Sequence, residues 1–275
     1  MRRTPCLAAV LAASTLTLFA SACRPTRWFL VLGQSNAVGT SYQPTEPAPG
    51  EVWRVADLAL LTRIADPGIH GPNQAQVLTS SWPAFAAHTP GEVGLIAAAL
   101  GGTCLLDWPW NPGRWHPEAG DLLDRAIAAW HALGSPPIEA ALWLQGECDA
   151  SQALVAGWSP EELRVAYRDT LLALADRVAL ELETVLVAGT VSTRLCRYEN
   201  VDCDPALFEA PFEPVVPVVE ATLDAVALHP ALYPGPDTSD LRVGLDAQGG
   251  TGSLHIWDVN ELGHRWADSV AALGP

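Results

Sequence analysis

The chain has 275 residues, which is enough for one α/β domain with a full hydrophobic core. No internal repeat or low-complexity tract suggests a second domain. The formal net charge of −16 at pH 7 argues against nucleic acids and anionic membrane surfaces as partners, and a neutral or cationic substrate is easier to accommodate.

The amino-terminal segment has the pattern of an export signal. Arg2 and Arg3 give a positive start, and residues 6–20 form an apolar core that is too short for an ordinary transmembrane span. Small residues at 20–22 fit a cleavage site, and Cys23 follows at once, as in a bacterial lipoprotein signal. We therefore expect residues 1–22 to be a signal peptide and residues 23–275 a single exported domain. That domain is either anchored in the cell envelope through lipid on Cys23, or secreted or periplasmic.

The apolar run at residues 28–32 is the point around which the domain is organised. It ends at Gly33 and is followed by Gln34, Ser35 and Asn36. The run predicts a buried strand, and Gly33 permits a sharp turn that a side chain would obstruct. Ser35 would then project its hydroxyl at the carboxyl end of a central strand, where open α/β sheets place their sites. The alternative is that Ser35 only caps the following helix.

Strand-like and helical segments alternate along the rest of the chain. Strands are predicted within residues 52–61, 93–100, 138–144 and 184–191, and helices within residues 82–88, 121–133, 160–174 and 215–227. Residues 255–273 are predicted to form a final helix or a loop that leads into one. Ser159, Pro160 and Glu162 form a helix start with a capping box. The alternation predicts βαβ units with a mostly parallel sheet, in a three-layer α/β/α domain.

Two later strands also end in glycine and polar residues. The strand at 93–100 is followed by Gly101, Gly102 and Thr103, and the strand at 138–144 by the run QGECD at residues 145–149. Because parallel strands present their carboxyl ends at one edge of the sheet, these polar groups are expected near Ser35.

Three tryptophans follow the Gly-Gly-Thr block, at Trp108, Trp110 and Trp115. Pro109 and Pro112 lie between them and exclude a regular helix. Aromatic rings on a loop beside a site can stack on sugar faces, and we expect these three to bind substrate. The alternative is a loop that packs its own rings into a satellite cluster.

With the three blocks in this order, the chain resembles the SGNH (GDSL-like) hydrolases, in the branch that contains acetylxylan esterases and sialate O-acetylesterases. The resemblance extends from residue 28 to about residue 271. It implies a flavodoxin-like sheet of about five strands and an esterase that removes O-acetyl groups from carbohydrate. A general short-chain esterase and a catalytically weak carbohydrate-binding protein on the same scaffold are the alternatives.

The resemblance also implies roles for individual residues. Ser35 is the candidate nucleophile and His255 the candidate base, with His264 and His229 as alternatives. The oxyanion hole would use the backbone N–H groups of Ser35 and Gly102 and the side-chain amide of Gln145.

One position departs from the family pattern. The acid that usually stands three residues before the histidine is replaced by Gly252. Asp246, Asp258 or Glu147 could orient the imidazole instead; otherwise a backbone carbonyl completes a Ser-His dyad, or the activity is impaired. For Glu147 a structural role comes first, since buried carboxylates can hold the motif loops together by accepting hydrogen bonds.

The cysteines of the exported domain are expected to be oxidised. Cys104 and Cys148 each follow a motif at a strand end, so a bridge between them is predicted, together with a local Cys196–Cys203 bridge. The alternative is free thiols. The sequence has no C-x-x-C or H-x-x-x-H spacing, so neither a metal site nor another cofactor is expected.

Overall fold

The structure of the protein is a computed structural model. It describes residues 26–39, 52–56, 60–64, 80–192, 213–241, 243–244, 255–256 and 258–274, with the backbone alone at 52–56, 60–64, 213, 243–244 and 255. The predicted signal peptide, the Cys196–Cys203 bridge, Asp246 and Gly252 lie outside these ranges.

Nine strands and seven α-helices are defined within the described ranges. The strands are β1 (Arg27–Gly33), β2 (Val52–Ala56), β3 (Leu60–Ile64), β4 (Val93–Ala97), β5 (Ile138–Leu144), β6 (Leu186–Ala188), β7 (Leu232–Pro234), β8 (Val243–Gly244) and β9 (His255–Ile256). The helices are α1 (Ser35–Val38), α2 (Trp82–His88), α3 (Leu122–Ala132), α4 (Glu147–Ala156), α5 (Pro160–Leu182), α6 (Val216–Leu228) and α7 (Val259–Ala271).

The main sheet has the order β3-β2-β4-β1-β5-β6-β7. Its five strands from β4 to β7 are all parallel and, counted along the chain, are ordered 2-1-3-4-5, which is the flavodoxin-like arrangement. The predicted fold is confirmed. The segment expected to hold one short strand forms the β2–β3 hairpin, whose β2 pairs parallel with β4 and extends the sheet. Strands β8 and β9 form a separate antiparallel pair.

The centre of the core is β1, because it has sheet neighbours on both sides and helices over the sheet. Phe29, Leu30, Val31 and Leu32 are completely buried, which explains the unbroken apolar run. Helices α2 and α7 pack together on one side, where the Phe85 ring of α2 lies 5.1 Å from the Phe29 ring in an edge-to-face contact.

Helix α5 follows its predicted pattern. Ser159 caps it, and the reciprocal bond from the Ser159 N–H to the Glu162 carboxylate, at 2.7 Å, completes the capping box. Its buried face includes Leu163, Tyr167, Leu171 and Leu174, which lie three or four residues apart. The helix packs against α6, and the Arg164 guanidinium bonds to Asp224 of that helix at 2.8 Å.

Helix α4 and strand β7 were not predicted from the sequence, and neither were the short strands β8 and β9. Helix α4 has a weak apolar stripe, because its buried positions include the carboxylates Glu147 and Asp149. Strand β7 is only three residues long and ends at Pro234. The final helix, α7, is present as predicted, and residues 255–256 before it form β9.

Candidate active site

The turn after β1 requires glycine and presents Ser35. Gly33 has φ of 120°, and a Cβ built on it would collide with the carbonyl oxygen of Leu144 on β5. The next residue, Gln34, donates its N–H to the same oxygen at 3.2 Å. Ser35 is the first residue of α1 and Gln34 is the N-cap, so the capping alternative for Ser35 is not supported. The half-buried Ser35 therefore stands at the carboxyl end of the central strand, as predicted.

The Gly101-Gly102 loop lies beside this turn. The Leu100 N–H donates to the Gly33 carbonyl at 3.0 Å, and a Cβ built on Gly101 would lie 3.7 Å from Ser35 Cβ. Gly102 adopts a left-handed conformation with φ of 73°, and in the described part of the chain its N–H donates to no acceptor. That N–H is thus available for an anionic oxygen near Ser35, and its oxyanion role stays a prediction.

Gln145 has a different role from the one predicted. Its buried amide nitrogen donates to the Thr103 carbonyl at 3.2 Å and to the Asp149 carboxylate at 2.7 Å. The Tyr167 hydroxyl donates to the amide oxygen at 2.8 Å and thereby fixes the orientation of the amide. Because both amide hydrogens are committed to protein acceptors, Gln145 is not placed as an oxyanion donor here. It instead ties the end of β5 to the Gly-Gly-Thr block.

Asp149 holds the loop that follows Gly102. This completely buried carboxylate accepts the backbone N–H groups of Leu105 and Leu106, each at 2.9 Å, and the Trp108 indole N–H, also at 2.9 Å. The Gln145 amide is its fourth donor. Burial raises the pKa of Asp149, and these donors oppose that shift. The prediction that a buried carboxylate organises the motif loops by accepting backbone hydrogen bonds is confirmed for Asp149.

Glu147 connects the Ser35 turn to the carboxyl-terminal part of the chain. Its buried carboxylate accepts from the side-chain amides of Gln34 and Asn36, the latter at 2.5 Å. The Asn36 side-chain oxygen in turn accepts the backbone N–H of Ile256 at 2.8 Å, across 220 residues of sequence. The peptide bond between His255 and Ile256 is therefore held against the residue that follows Ser35.

The predicted pairing of Ser35 with His255 depends on this connection. The structure describes the backbone of His255 and not its ring, so contact between the ring and the Ser35 hydroxyl stays a prediction. The two alternative bases each contact another side chain. The His264 ring packs 3.8 Å from the His88 ring, and His229 Nε2 lies 3.0 Å from an Asp176 oxygen.

Two of the three candidate acids lie within the described ranges. Each oxygen of Glu147 accepts a side-chain amide, which supports the structural role. Asp258 is half-buried at the N-cap of α7, two residues beyond Ile256, and its side chain does not cap the helix. Asp258 thus remains a candidate to orient His255.

A disulfide joins Cys104 to Cys148, with a Cα–Cα distance of 5.2 Å, which confirms the predicted pairing. The strands that precede the two cysteines, β4 and β5, are not neighbours and lie on either side of β1. The bond links the loop after Gly102 to the first turn of α4.

The three tryptophans do not share one role. Trp108 and Trp115 are 4% and 1% exposed. The Trp115 indole donates at 3.1 Å to both the Gly33 carbonyl and the Thr103 hydroxyl, and the Trp108 indole bonds to Asp149. Neither ring can present a face to a sugar, so the predicted substrate-binding role does not hold for these two. Trp110 is 58% exposed and remains a candidate.

Two further features of the described residues concern metal binding and membrane spanning. Within the described ranges, no group of three or more His, Cys, Asp or Glu side chains could hold a metal ion. None of the helices in those same ranges is long and apolar enough to cross a membrane.

The buried Glu147 predicts a pH-dependent stability. Burial raises its pKa from 4.5 to about 7, against the opposing hydrogen bonds from its own backbone, Asn36 and Gln34. The folded state therefore keeps this proton more strongly than the unfolded chain does. The proton therefore stabilises the folded state fully below pH 4.5. As the pH rises through about 7 this stabilisation is lost, and the free energy of unfolding falls by up to roughly 3 kcal/mol.

Urea unfolding between pH 4.5 and 8 gives the free energy of unfolding of the wild type and of Glu147→Gln, in which the side chain cannot titrate. The wild type should lose stability with rising pH relative to this variant. The same substitution at the exposed Glu118 is the control. Parallel pH profiles for the wild type and Glu147→Gln would contradict the assignment.

Comparison with known proteins agrees with this architecture. A protein from Arabidopsis thaliana matches with a TM-score of 0.64 at 18% identity, over 90% of this chain and 99% of that one. An aryl esterase from M. smegmatis, in an inhibitor-bound form, matches with a TM-score of 0.52 at 13% identity, over 90% and 100% of the two chains. A carbohydrate acetylesterase from Xanthomonas citri matches with a TM-score of 0.51 at 17% identity, over 88% of this chain and 54% of that one. These likenesses show the SGNH hydrolase fold.

The family assignment comes from the sequence. No curated protein is significantly similar to the chain. The family model described as carbohydrate esterase, sialic acid-specific acetylesterase matches residues 25–188, which is more than half of the 275 residues. That region contains the Ser35 turn, the Gly101-Gly102 loop and the residues that bond to Glu147 and Asp149. The chain therefore belongs to the sialic acid-specific acetylesterase family of carbohydrate esterases.

Proposed function

We propose that the protein is a serine esterase that removes O-acetyl or other short acyl groups from carbohydrate, with Ser35 as nucleophile and His255 as base. The observation that carries the proposal is the hydrogen bond from the Ile256 N–H to the Asn36 side chain. It links the strand that contains His255 to the turn that contains Ser35, although the two are far apart in sequence. Membership in a carbohydrate esterase family supports the reaction class.

The proposed reaction proceeds through an acyl-Ser35 ester. The Ser35 hydroxyl attacks the ester carbonyl carbon while the His255 ring accepts the hydroxyl proton. The oxyanion that forms receives hydrogen bonds from the backbone N–H groups of Ser35 and Gly102. The carbonyl then re-forms, the C–O bond to the sugar breaks, and the sugar oxygen takes the proton from His255. Water, deprotonated by His255, attacks the acyl-Ser35 ester. The bond between the acyl carbon and the Ser35 oxygen then breaks, that oxygen takes the proton back from His255, and the carboxylic acid is released.

The imidazole needs a partner on its second nitrogen, because a fixed tautomer is required for its action as a base. Gly252 cannot provide a side chain for this role. Asp258 and Asp246 are the carboxylates proposed for it, and a backbone carbonyl would give a Ser-His dyad.

The proposal includes export. The Cys104–Cys148 disulfide is the kind of bond that persists in oxidising compartments. Removal of residues 1–22 and a lipid on Cys23 remain predictions from the sequence.

Hydrolysis of p-nitrophenyl acetate by the purified protein tests the proposal, together with release of acetate from an acetylated oligosaccharide. A serine-directed organophosphate should stop both reactions and leave one adduct, which mass spectrometry should map to the peptide that contains Ser35. A protein that hydrolyses neither ester and takes no label would instead be the carbohydrate-binding alternative that Gly252 suggests. Hydrolysis of nitrophenyl esters alone would indicate a general short-chain esterase.

A further inference from the structure

An exposed aromatic side chain stands next to the candidate oxyanion loop. Trp110 lies in a tight turn in which the backbones of Trp108 and Asn111 pair at 3.1 and 3.2 Å. The Asn111 side-chain amide donates to the Gly102 carbonyl at 3.2 Å. The turn that carries Trp110 is thus fixed to Gly102, whose N–H is the predicted oxyanion donor.

The Trp110 ring is held in place although it is exposed. Its indole N–H donates to the side-chain oxygen of Gln152 on α4. Helix α4 is itself fixed to the Gly102 loop by the Cys104–Cys148 disulfide. An exposed ring that is already ordered loses little conformational entropy when a ligand stacks on it, so it is a favourable binding surface.

Gln152 adds polar groups at the edge of the ring. Because its oxygen accepts the indole N–H, the two hydrogens of its amide nitrogen point elsewhere, and among the described residues they have no acceptor. An apolar ring face with amide donors at its edge complements a pyranose, which has C–H groups on its face and hydroxyls around its rim. Trp158 is a second exposed aromatic residue: it is 40% exposed, and its ring centroid lies 4.7 Å from that of the buried Trp108, two residues before Trp110.

The charges around these side chains favour a neutral sugar. In the described ranges no arginine bonds to Gln152 or to the turn that carries Trp110, whereas the exposed Asp107 lies in the same loop. The chain as a whole carries a net charge of −16. An acidic sugar would meet like charge here without the guanidinium that pairs best with a carboxylate.

We propose that Trp110, Gln152 and Trp158 form a subsite for a neutral pyranose ring of the substrate, beside the Gly102 loop. The subsite rests on the proposed function, because it positions the acylated sugar whose ester Ser35 attacks. Trp110 supplies the stacking face, Gln152 donates hydrogen bonds to ring hydroxyls, and Trp158 contacts an adjoining part of the carbohydrate.

The first test compares two substrates. The measured quantity is kcat/KM for acetylated xylo-oligosaccharide divided by kcat/KM for p-nitrophenyl acetate. In Trp110→Ala this ratio is expected to fall about tenfold, mainly because KM for the oligosaccharide rises. Trp110→Phe should recover part of the loss, and Gln152→Ala should lower the ratio several-fold. Leu180→Ala, which removes an exposed apolar side chain on α5, is the control and should leave the ratio unchanged. An unchanged ratio in Trp110→Ala would overturn the proposal, as would an equal loss on an O-acetylated sialic acid.

The second test is independent of catalysis. Calorimetric titration of the Ser35→Ala protein with unacetylated xylo-oligosaccharide should give a Kd that rises about tenfold when Trp110→Ala is added. Equal Kd values with and without Trp110 would overturn the subsite even if the wild type is an active esterase. Conversely, binding that depends on Trp110 in a wild type without esterase activity would support the subsite and refute the proposed function.

Discussion

Replacement of Ser35 with alanine is expected to lower kcat for p-nitrophenyl acetate by about 10⁴- to 10⁶-fold, since nucleophile and base act as a unit in catalysis of this type. Ser35 follows a turn in which only glycine fits at position 33, because a side chain there would collide with β5. Gly101 lies next to Ser35. Replacement of His255 should cost a similar factor, because the Ser35 hydroxyl loses its proton acceptor. The residual rate should reflect oxyanion stabilisation and binding alone.

The double variant distinguishes a working pair from two separate effects. If Ser35 and His255 act together, Ser35→Ala combined with His255→Ala should be no slower than either single variant, within about threefold. Stopped-flow assays of nitrophenolate release measure the fast wild-type rate, and absorbance assays over long times measure the slow rates of the variants. The controls are Ser151→Ala and His131→Ala, both at exposed helical positions. Losses below tenfold in His255→Ala would move the role of base to another residue.

Replacement of Asp149 with alanine is expected to lower the free energy of unfolding by about 3–5 kcal/mol. The side chain is completely buried and accepts four hydrogen bonds, from two backbone N–H groups, the Trp108 indole and the Gln145 amide. Its removal leaves all four donors buried without an acceptor. Because the two backbone donors belong to the loop after Gly102, activity should fall together with stability.

Equilibrium urea unfolding at constant pH measures this loss. Asp149→Asn tests the hydrogen-bond argument at nearly constant volume, since its amide nitrogen would face a donor, and it should also be strongly destabilised. Asp268→Ala, at an exposed position of α7, is the control and should change stability by less than about 0.5 kcal/mol. A similarly small change in Asp149→Ala would show that the loop keeps its geometry without the carboxylate.

The parts of the fold that the sequence predicts are those fixed by local pattern. The apolar run before Gly33 predicts a strand buried on both faces, and the Ser159 capping box predicts where α5 begins. The roles of Gln145, Trp108 and Trp115 could not be predicted, because they depend on partners distant in sequence. Tyr167 orients Gln145, Asp149 accepts from Trp108, and Gly33 accepts from Trp115 across 82 residues. A motif shows which polar groups meet at a sheet edge and leaves open which of them bond to one another.

The Cys104–Cys148 bond has a consequence for the order in which the protein folds. The two cysteines follow β4 and β5, which never pair with each other because β1 lies between them. In the folded protein the two cysteines are brought together through β1, which pairs with both strands, so we expect the bond to form when the central three strands assemble. Quenched-flow alkylation during oxidative refolding should then show that closure of this bond and protection of the β1 amides occur together. The turn that carries Ser35, at the end of β1, would be formed in that same step.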